Sequence, residues 1–172
     1  RYAFYVRNIC NGTNYSSWSS ALVFNTKCLD VQVPYQEFFD DYGTSIASSD
    51  NVFPPCWTKT GNGMSAISNL QHQPYFTAPG ALFLSHNANQ YEYVSTPLLQ
   101  DSLSKLQVHF LGKFDDLNRS VDVGVMTNPS DTSSFTLIET IHARTRVWNE
   151  YVIPLTSYTG TGQYLSFRSQ GA

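Results

Sequence analysis

Charged side chains are scarce in this sequence, since Asp, Glu, Lys and Arg make up only 13% of its 172 residues. The net charge is −3, and no segment concentrates Lys and Arg into the basic stripe that binding to a phosphate backbone requires. Nucleic acid is therefore not an expected partner. Much of the polar surface must come from Ser, Thr, Asn and Gln instead, a composition typical of secreted β-sandwiches.

Long apolar runs are also missing. None approaches the roughly 20 residues that a helix needs to cross a bilayer, so the sequence predicts no membrane span. The first residues lack the blocks of a signal peptide, and we expect any targeting signal to lie outside this chain. Aromatic residues, in contrast, make up 15% of the chain, which is enough apolar area for a sizeable core. The composition predicts a protein that is secreted or located at the cell surface.

Cysteine occurs only three times, as Cys10, Cys28 and Cys56, without the close spacing of zinc ligands. A disulfide needs two Cα atoms within about 7 Å of each other. In a hairpin that turns near Asn14, Cys28 would lie about 30 Å along the ladder from the position opposite Cys10, which disfavours that pair. A bridge between Cys28 and Cys56 and a pair of free thiols both remain open.

The usual motifs of hydrolytic catalysis are absent as well. No G-x-S-x-G elbow occurs, and the adjacent acids Asp115 and Asp116 would point to opposite faces of a strand rather than act as a glycosidase pair. The segment Asp115–Asn118 is instead predicted to be a turn, with Asx side chains bonded to their own backbone. His109 alternates with apolar neighbours and is interpreted as an ordinary strand histidine. We therefore predict that the protein is not an enzyme and requires no cofactor.

Alternation of apolar and polar residues predicts β-strands throughout the chain, without any sustained helical stripe. Clusters of Asn, Gly, Pro and Asp separate these strands and supply the chain reversals that hairpins need. Many short strands at this spacing indicate an all-β fold, either an antiparallel sandwich or a jelly roll. The predicted strands are Tyr2–Ile9, Ala21–Thr26, Tyr35–Phe39, Cys56–Thr60, Ala81–His86, Glu92–Pro97, Lys105–Phe114, Val121–Thr127, Phe135–Ile141, Trp148–Ile153 and Tyr164–Arg168.

Two groups of aromatic residues are candidates for a sugar-binding platform, because exposed aromatic rings pack against the apolar face of a pyranose. Tyr75 and Phe76 lie in a proline-containing loop, and Tyr91 and Tyr93 follow Asn89. The amide of Asn89 would bond to sugar hydroxyls. For any one of these rings, packing is the simpler interpretation, since Tyr91 and Tyr93 share one strand face.

The first residues resemble the last two strands of a fibronectin type III domain. The resemblance rests on the Y-x-F-x-V-R pattern that begins at Tyr2 and on the W-S and F-x-T patterns between Trp18 and Thr26. It implies that residues 1–28 form the C-terminal hairpin of such a domain, truncated in this chain, and that residues 29–33 form a linker. Because a two-stranded hairpin is marginally stable in water, this piece is expected to pack on something else.

Residues 34–172 resemble the jelly-roll modules of bacterial cleaved adhesins and the related choice-of-anchor and MAM-like domains of Bacteroidetes surface proteins. The matching stretches are Pro34–Asp40, Pro54–Trp57, Tyr93–Leu99, Val123–Pro129, Trp148–Tyr151 and Gly162–Arg168. The resemblance implies an antiparallel jelly-roll β-sandwich. Members of this group usually end in a further strand with an Asp pair, so the final strand is expected to be missing here.

The same resemblance implies a structural calcium ion. In related modules an acidic residue of the first strand and the terminal Asp pair converge on one ion, and Glu37 and Asp40 are the matching first-strand positions. Ca²⁺ takes carboxylate and carbonyl oxygens gathered from loops. Any bound metal is therefore expected to be Ca²⁺ that holds loops together.

Composition and resemblance together predict a non-catalytic extracellular binding or adhesion module of a larger surface or secreted protein, joined to neighbouring domains of the same polypeptide. The expected partner is a glycan or a host or cell-surface protein. The alternative is a structural spacer that positions a neighbouring domain, favoured if the sheet faces prove to be covered. An enzyme would need convergent acids or a histidine-centred pocket, and fold resemblance alone does not choose between binding and spacing.

Overall fold

The structure, a computed structural model, describes residues 2–9, 12, 14–24, 28–42, 53–68, 80–85 and 87–170. Within these ranges the helical segments are two short 3-10 turns, at Leu103–Lys105 and Thr132–Ser134. No helix in this part of the chain is long and apolar enough to cross a membrane. The strands are β1 (Tyr2–Phe4), β2 (Leu22–Phe24), β3 (Thr58–Gly61), β4 (Met64–Ser68), β5 (Ala81–Ser85), β6 (Tyr91–Ser95), β7 (Gln107–Gly112), β8 (Ser120–Met126), β9 (Phe135–His142), β10 (Asn149–Pro154) and β11 (Tyr164–Gln170).

Five strands form the main sheet in the order β3-β6-β11-β8-β9, with every neighbouring pair antiparallel. Phe167 lies directly opposite Val94 on one side and Val123 on the other, so these three side chains share one face. Except for the consecutive pair β8 and β9, strands that are neighbours in the sheet are far apart in sequence, as in jelly rolls. The predicted all-β antiparallel sandwich is confirmed.

The second layer consists of two antiparallel pairs, β7 with β10 and β4 with β5. Phe110 of β7 meets Phe167 of the main sheet edge to face, with ring centroids 5.3 Å apart, so the core lies between the layers. Burial of each large aliphatic side chain in such a core contributes about 1.5–3 kcal/mol. The buried core residues are Leu99, Leu103, Val123, Val125, Ile141, Tyr151, Ile153, Leu155, Tyr158 and Leu165.

The opposite, outer face of the main sheet is also covered. Ser95, Ser166 and Met126 on this face are inaccessible to solvent. The β8–β9 connection reaches the far edge of the sheet, where the Thr60 hydroxyl of β3 donates to the Pro129 carbonyl at 2.8 Å. Both faces of the central strands are therefore buried.

One row of side chains crosses this outer face from edge to edge. Its members, in strand order, are Thr60, Tyr93, Arg168, Asp122 and Thr140. Asp122 is 1% exposed and accepts from Arg168 Nε at 2.9 Å and from Thr140 Oγ1 at 2.6 Å. The row is a hydrogen-bonded brace across the sheet, and burial of its carboxylate is offset by the paired guanidinium.

The N-terminal hairpin pairs β1 with β2. All residues of 3–22 whose exposure the structure describes are exposed. The Arg7 guanidinium lies over the rings of Tyr15 at 3.9 Å and Trp18 at 4.5 Å, which orders the hairpin locally through cation–π contacts. The hairpin thus has rings on its surface rather than a core, and its assignment to a fibronectin type III domain stays a prediction.

The segment after the hairpin is attached to the sandwich at two points. Cys28 and Cys56 form a disulfide with their Cα atoms 5.6 Å apart, which is the pairing considered from the sequence. Val31 donates its amide to the Leu98 carbonyl at 2.8 Å and accepts from the Gln100 amide at 3.0 Å. Residues 29–33, predicted to be a linker, are therefore held against the sandwich at Val31.

At two places the prediction and the structure differ by a whole strand. Tyr35–Phe39 is not a strand, because the Glu37 carboxylate accepts from the Phe39 amide at 2.8 Å and Phe39 adopts a φ of 64°, which turns the chain. Strand β4 was not predicted, since its Met-Ser-Ala-Ile-Ser sequence has little β propensity. Its pairing with β5 and the burial of Ile67 hold it in the sheet.

Candidate binding site at the loop end of the sandwich

The β3–β4 turn and the start of β6 are joined at one end of the sandwich. The Asn62 side-chain oxygen accepts from the Tyr91 amide at 2.9 Å, and the Tyr91 carbonyl accepts from the amides of Asn62 and Gly63 at 2.9 and 3.0 Å. Gly61 makes this contact possible, because its φ is +129° and a Cβ there would lie 2.2 Å from the Tyr91 carbonyl oxygen.

The β5–β6 turn lies next to this junction. Its ends are closed by Gln90, whose side-chain oxygen accepts from the Asn87 amide at 2.9 Å and whose own amide donates to the Asn87 carbonyl at 3.1 Å. Asn89 adopts the left-handed conformation at φ 60°, which Asn tolerates better than most residues, and it is exposed. The turn carries amide side chains directly before Tyr91 in the sequence, and Tyr91 is 42% exposed.

The Glu92 side chain links the two layers of the sandwich next to these turns. It is 4% exposed on the inner face, and the Ser65 hydroxyl of β4 donates to its carboxylate at 2.5 Å. This bond ties the second layer to the main sheet directly under the two turns. We call Asn62, Asn87, Asn89, Gln90 and Tyr91 the loop-end site.

Comparison with solved structures identifies the architecture. The K2 cleaved adhesin domain of Lys-gingipain matches 80% of this chain and 89% of its own length, with a TM-score of 0.54 and 12% identity. The K1 cleaved adhesin domain of Lys-gingipain from Porphyromonas gingivalis W83 matches 78% of this chain and 86% of its own length, with a TM-score of 0.55 and 15% identity. The fold is that of a cleaved adhesin domain. At the level of sequence, no protein-family model and no curated protein matches.

Within this cleaved-adhesin fold, two of the predicted ligand-binding residues, Asn89 and Tyr91, come together in the loop-end site. Tyr93 does not join them, because it is 7% exposed and packs edge to face against Phe135 at 5.4 Å. Its ring belongs to the packing of the outer face. Tyr75 and Phe76 lie outside the described residues.

The predicted calcium ligands are engaged by protein donors. The Glu37 carboxylate accepts from the Phe39 amide and, at 3.2 Å, from the Tyr42 hydroxyl, while Asp40 accepts from the Gly80 amide at 3.4 Å. Among the residues that the structure describes, no three His, Cys, Asp or Glu side chains are grouped closely enough to hold a metal. The calcium site stays a prediction.

Burial and the charge of Glu37 raise the pKa of Tyr42 to about 12. Two of the groups weighed for catalysis, His109 and Asp116, have structural partners. His109 is exposed on β7, and its Nε2 lies 2.7 Å from the Glu150 carboxylate. Asp116 accepts from the Asn118 amide at 2.9 Å, which is the predicted Asx turn.

The sequence did not single out Asn62 or Glu92 as functional residues. The Gly61-Asn62-Gly63 run is one of the Asn and Gly clusters expected to reverse the chain, yet its proximity to Tyr91 depends on the pairing of β3 with β6, which begins 30 residues after β3 ends. Such a pairing has no local sequence signal. Asn62 is therefore visible as part of the site only once the sheet order is known.

Proposed function

We propose that this chain is a non-catalytic extracellular adhesion module that binds a glycan through the loop-end site. The observation that carries the proposal is the hydrogen-bonded junction that brings Asn62, Gln90 and the half-exposed Tyr91 together at one end of the sandwich. Asn and Gln side chains present both donors and acceptors, as sugar hydroxyls do, and an aromatic ring packs on the apolar face of a pyranose. Because the turns are held by hydrogen bonds before a ligand arrives, little ordering is needed on binding.

Two further facts support this proposal. The structural neighbours are named as adhesin domains, and a chain with few charges but many amides and hydroxyls is suited to a hydroxylated partner. A secreted or cell-surface location, and attachment to neighbouring domains of one polypeptide, are part of the same proposal.

A glycan array, probed with and without Ca²⁺, tests this proposal on the wild type, Tyr91→Ala and Tyr15→Ala. Tyr15 is the matched control, since it is another exposed tyrosine, 50% exposed on the N-terminal hairpin. Loss of the stacking ring in Tyr91→Ala is expected to weaken glycan binding about tenfold, while Tyr15→Ala binds as the wild type does. Equal binding by both variants, or no binding to any glycan, would show the proposal to be wrong.

A structural spacer is the second candidate, and a specific observation favours it. Both faces of the central strands are buried, and the Cys28–Cys56 bridge fixes the preceding segment to the sandwich. A spacer needs such attachment and no ligand. If the chain is a spacer, it binds no glycan on the array. Reduction of the bridge then changes the distance between spin labels at Asn14 and Leu137, as measured by electron paramagnetic resonance.

A further inference from the structure

A small cavity opens at the edge of the sandwich between β9 and β10. It measures about 230 Å³ and is lined by residues 139–144 and by Tyr151. This is smaller than the 300–1,000 Å³ of sites for drug-sized ligands, so it suits a group the size of one monosaccharide. Residues 139–142 of its lining belong to β9, an edge strand of the main sheet.

Two oppositely charged side chains line this cavity without forming a salt bridge. Among the described residues, neither Glu139 nor Arg144 has an ion-pair partner within 4.0 Å. The Arg144 guanidinium is instead held over the Tyr151 ring, 5.5 Å from its centroid. A guanidinium held by its face keeps its N–H edge available for a carboxylate, which it binds through two parallel hydrogen bonds.

Tyr151 is the second unusual feature of the cavity wall. The residue is 4% exposed, and its hydroxyl is buried without a hydrogen-bond partner in the structure. The Phe110 ring stacks on the Tyr151 ring with centroids 5.3 Å apart, and the Arg144 guanidinium also lies over the Tyr151 ring. A buried hydroxyl without a partner is unfavourable, so a polar ligand that reorders this wall could relieve the cost.

The cavity and the loop-end site lie at the same end of the main sheet. One cross-strand row near that end connects Gly61, Glu92, Ser169, Val121 and Ile141. Tyr91 precedes Glu92 on β6. Ile141, one of the residues that line the cavity, is on β9, three strands away from β6. Three strand spacings amount to about 14 Å within the plane of the sheet.

The local charge differs from that of the whole chain. The run from His142 to Arg146 contains Arg144 and Arg146 and no acid, in a chain whose net charge is −3. Positive side chains gathered beside a concave site favour an anionic ligand. The single acid of the cavity, Glu139, can accept hydrogen bonds from hydroxyl groups.

We propose that this cavity is a subsite for an acidic sugar residue, with Arg144 binding its carboxylate and Glu139 accepting from one of its hydroxyls. The inference rests on the proposed glycan binding and deepens it, since it makes the ligand a uronate-containing oligosaccharide.

Isothermal titration calorimetry with two matched probes tests the subsite. The first is a tetrasaccharide with one glucuronate residue, and the second is the same tetrasaccharide with its carboxyl group reduced to an alcohol. The proteins are the wild type, Arg144→Gln, and Arg146→Gln as the control, because Arg146 is an exposed arginine of the same run that does not line the cavity. Arg144→Gln is expected to weaken binding of the acidic probe at least about tenfold, and Arg146→Gln to leave it unchanged.

Each outcome separates the subsite from the broader function. Equal affinity of the wild type for both probes, or equal loss in both arginine variants, overturns the subsite. If neutral glycans bind and Tyr91→Ala weakens that binding, the glycan-binding proposal survives this failure. Titration with acetate is a further arm: binding of acetate as tight as that of glucuronic acid would show a carboxylate site without sugar recognition, and would overturn the acidic-sugar assignment.

Discussion

Asp122 and Arg168 show how much of this protein depends on pairs of residues far apart in sequence. They are 46 residues apart, yet Arg168 bonds to Asp122 through both Nε and Nη2, at 2.9 and 2.6 Å. The guanidinium also lies 4.6 Å from the Phe135 ring centroid. Neither the buried carboxylate nor its partner could be identified from the sequence, where alternation places both residues in strands but does not indicate which strands are neighbours.

Tyr42 is a residue whose ionisation gives a prediction about pH. Burial, followed by the charge of Glu37, raises its pKa to about 12. An unfolded tyrosine ionises near pH 10, so the protonated hydroxyl stabilises the fold fully below about pH 10, and this contribution is lost as pH rises through about 12. The phenolate absorbance, taken as the difference between the wild type and Tyr42→Phe, should have its midpoint near 12.

A second variant identifies the contribution of the neighbouring carboxylate. Glu37→Gln removes the negative charge but keeps a side chain that can accept a hydrogen bond, so the midpoint of Tyr42 should move towards 10. Circular dichroism at each pH shows whether the protein is still folded. A midpoint near 10 in the folded wild type would contradict this account.

At the scale of the element, the sequence predicted strands best where burial agrees with local propensity. Strand β8 was predicted as Val121–Thr127 and is observed at Ser120–Met126, because its valines fit a central strand buried on both faces. The prediction of Tyr35–Phe39 was wrong because a side-chain hydrogen bond from within the segment turns the chain. The start of β3 was predicted two residues early, since Cys56 adopts a φ of 69° and cannot continue a strand.

Gly124 allows the β8–β9 element to close over the outer face. A Cβ at this position would lie 2.4 Å from the Thr136 carbonyl oxygen and 2.5 Å from the Phe135 ring. We therefore expect Gly124→Ala to displace the Phe135 ring and to lower the free energy of unfolding by about 1–3 kcal/mol. Urea denaturation followed by circular dichroism measures the change.

Gly112→Ala is the control for this variant. Gly112 also lies in a strand, but a Cβ there would meet only side-chain ring atoms of Tyr151 and Phe110, at 3.2 and 3.3 Å, which can shift slightly. Its effect on the free energy of unfolding should be smaller than that of Gly124→Ala. If both variants lower the free energy of unfolding equally, the position of the Phe135 ring does not depend on a glycine at position 124.

At the scale of the whole molecule, the sequence indicated the class of fold, and the loop-end site only in part. Asn89 and Tyr91 are neighbours in the chain, so local pattern was enough to group them. Asn62, and the grouping of Glu139 with Arg144 and Tyr151 around one cavity, depend on the order of the strands and on how the two layers meet. Those arrangements are set by long-range packing, for which one sequence carries no local signal.

The Cys28–Cys56 bridge gives a prediction about global stability. In the chain-entropy model, closing a loop between residues 28 positions apart contributes about 3.5 kcal/mol. A Cys28→Ser/Cys56→Ser variant should therefore have a lower guanidinium midpoint than the wild type, and reduction of the wild type should produce a similar loss. Cys10→Ser leaves this bridge intact and is the control. Equal midpoints for the wild type and the double variant would contradict the prediction.

The same bridge determines how the module carries mechanical load. Tension that enters through the N-terminal hairpin passes covalently from Cys28 into Cys56, so the residues between the two cysteines bear none of it while the bond is intact. The hydrogen bonds of Val31 to Leu98 and Gln100 lie within that unloaded stretch. Reduction would bring this stretch into the line of force and lengthen the tether, which makes the reach of the module depend on the redox state of its surroundings.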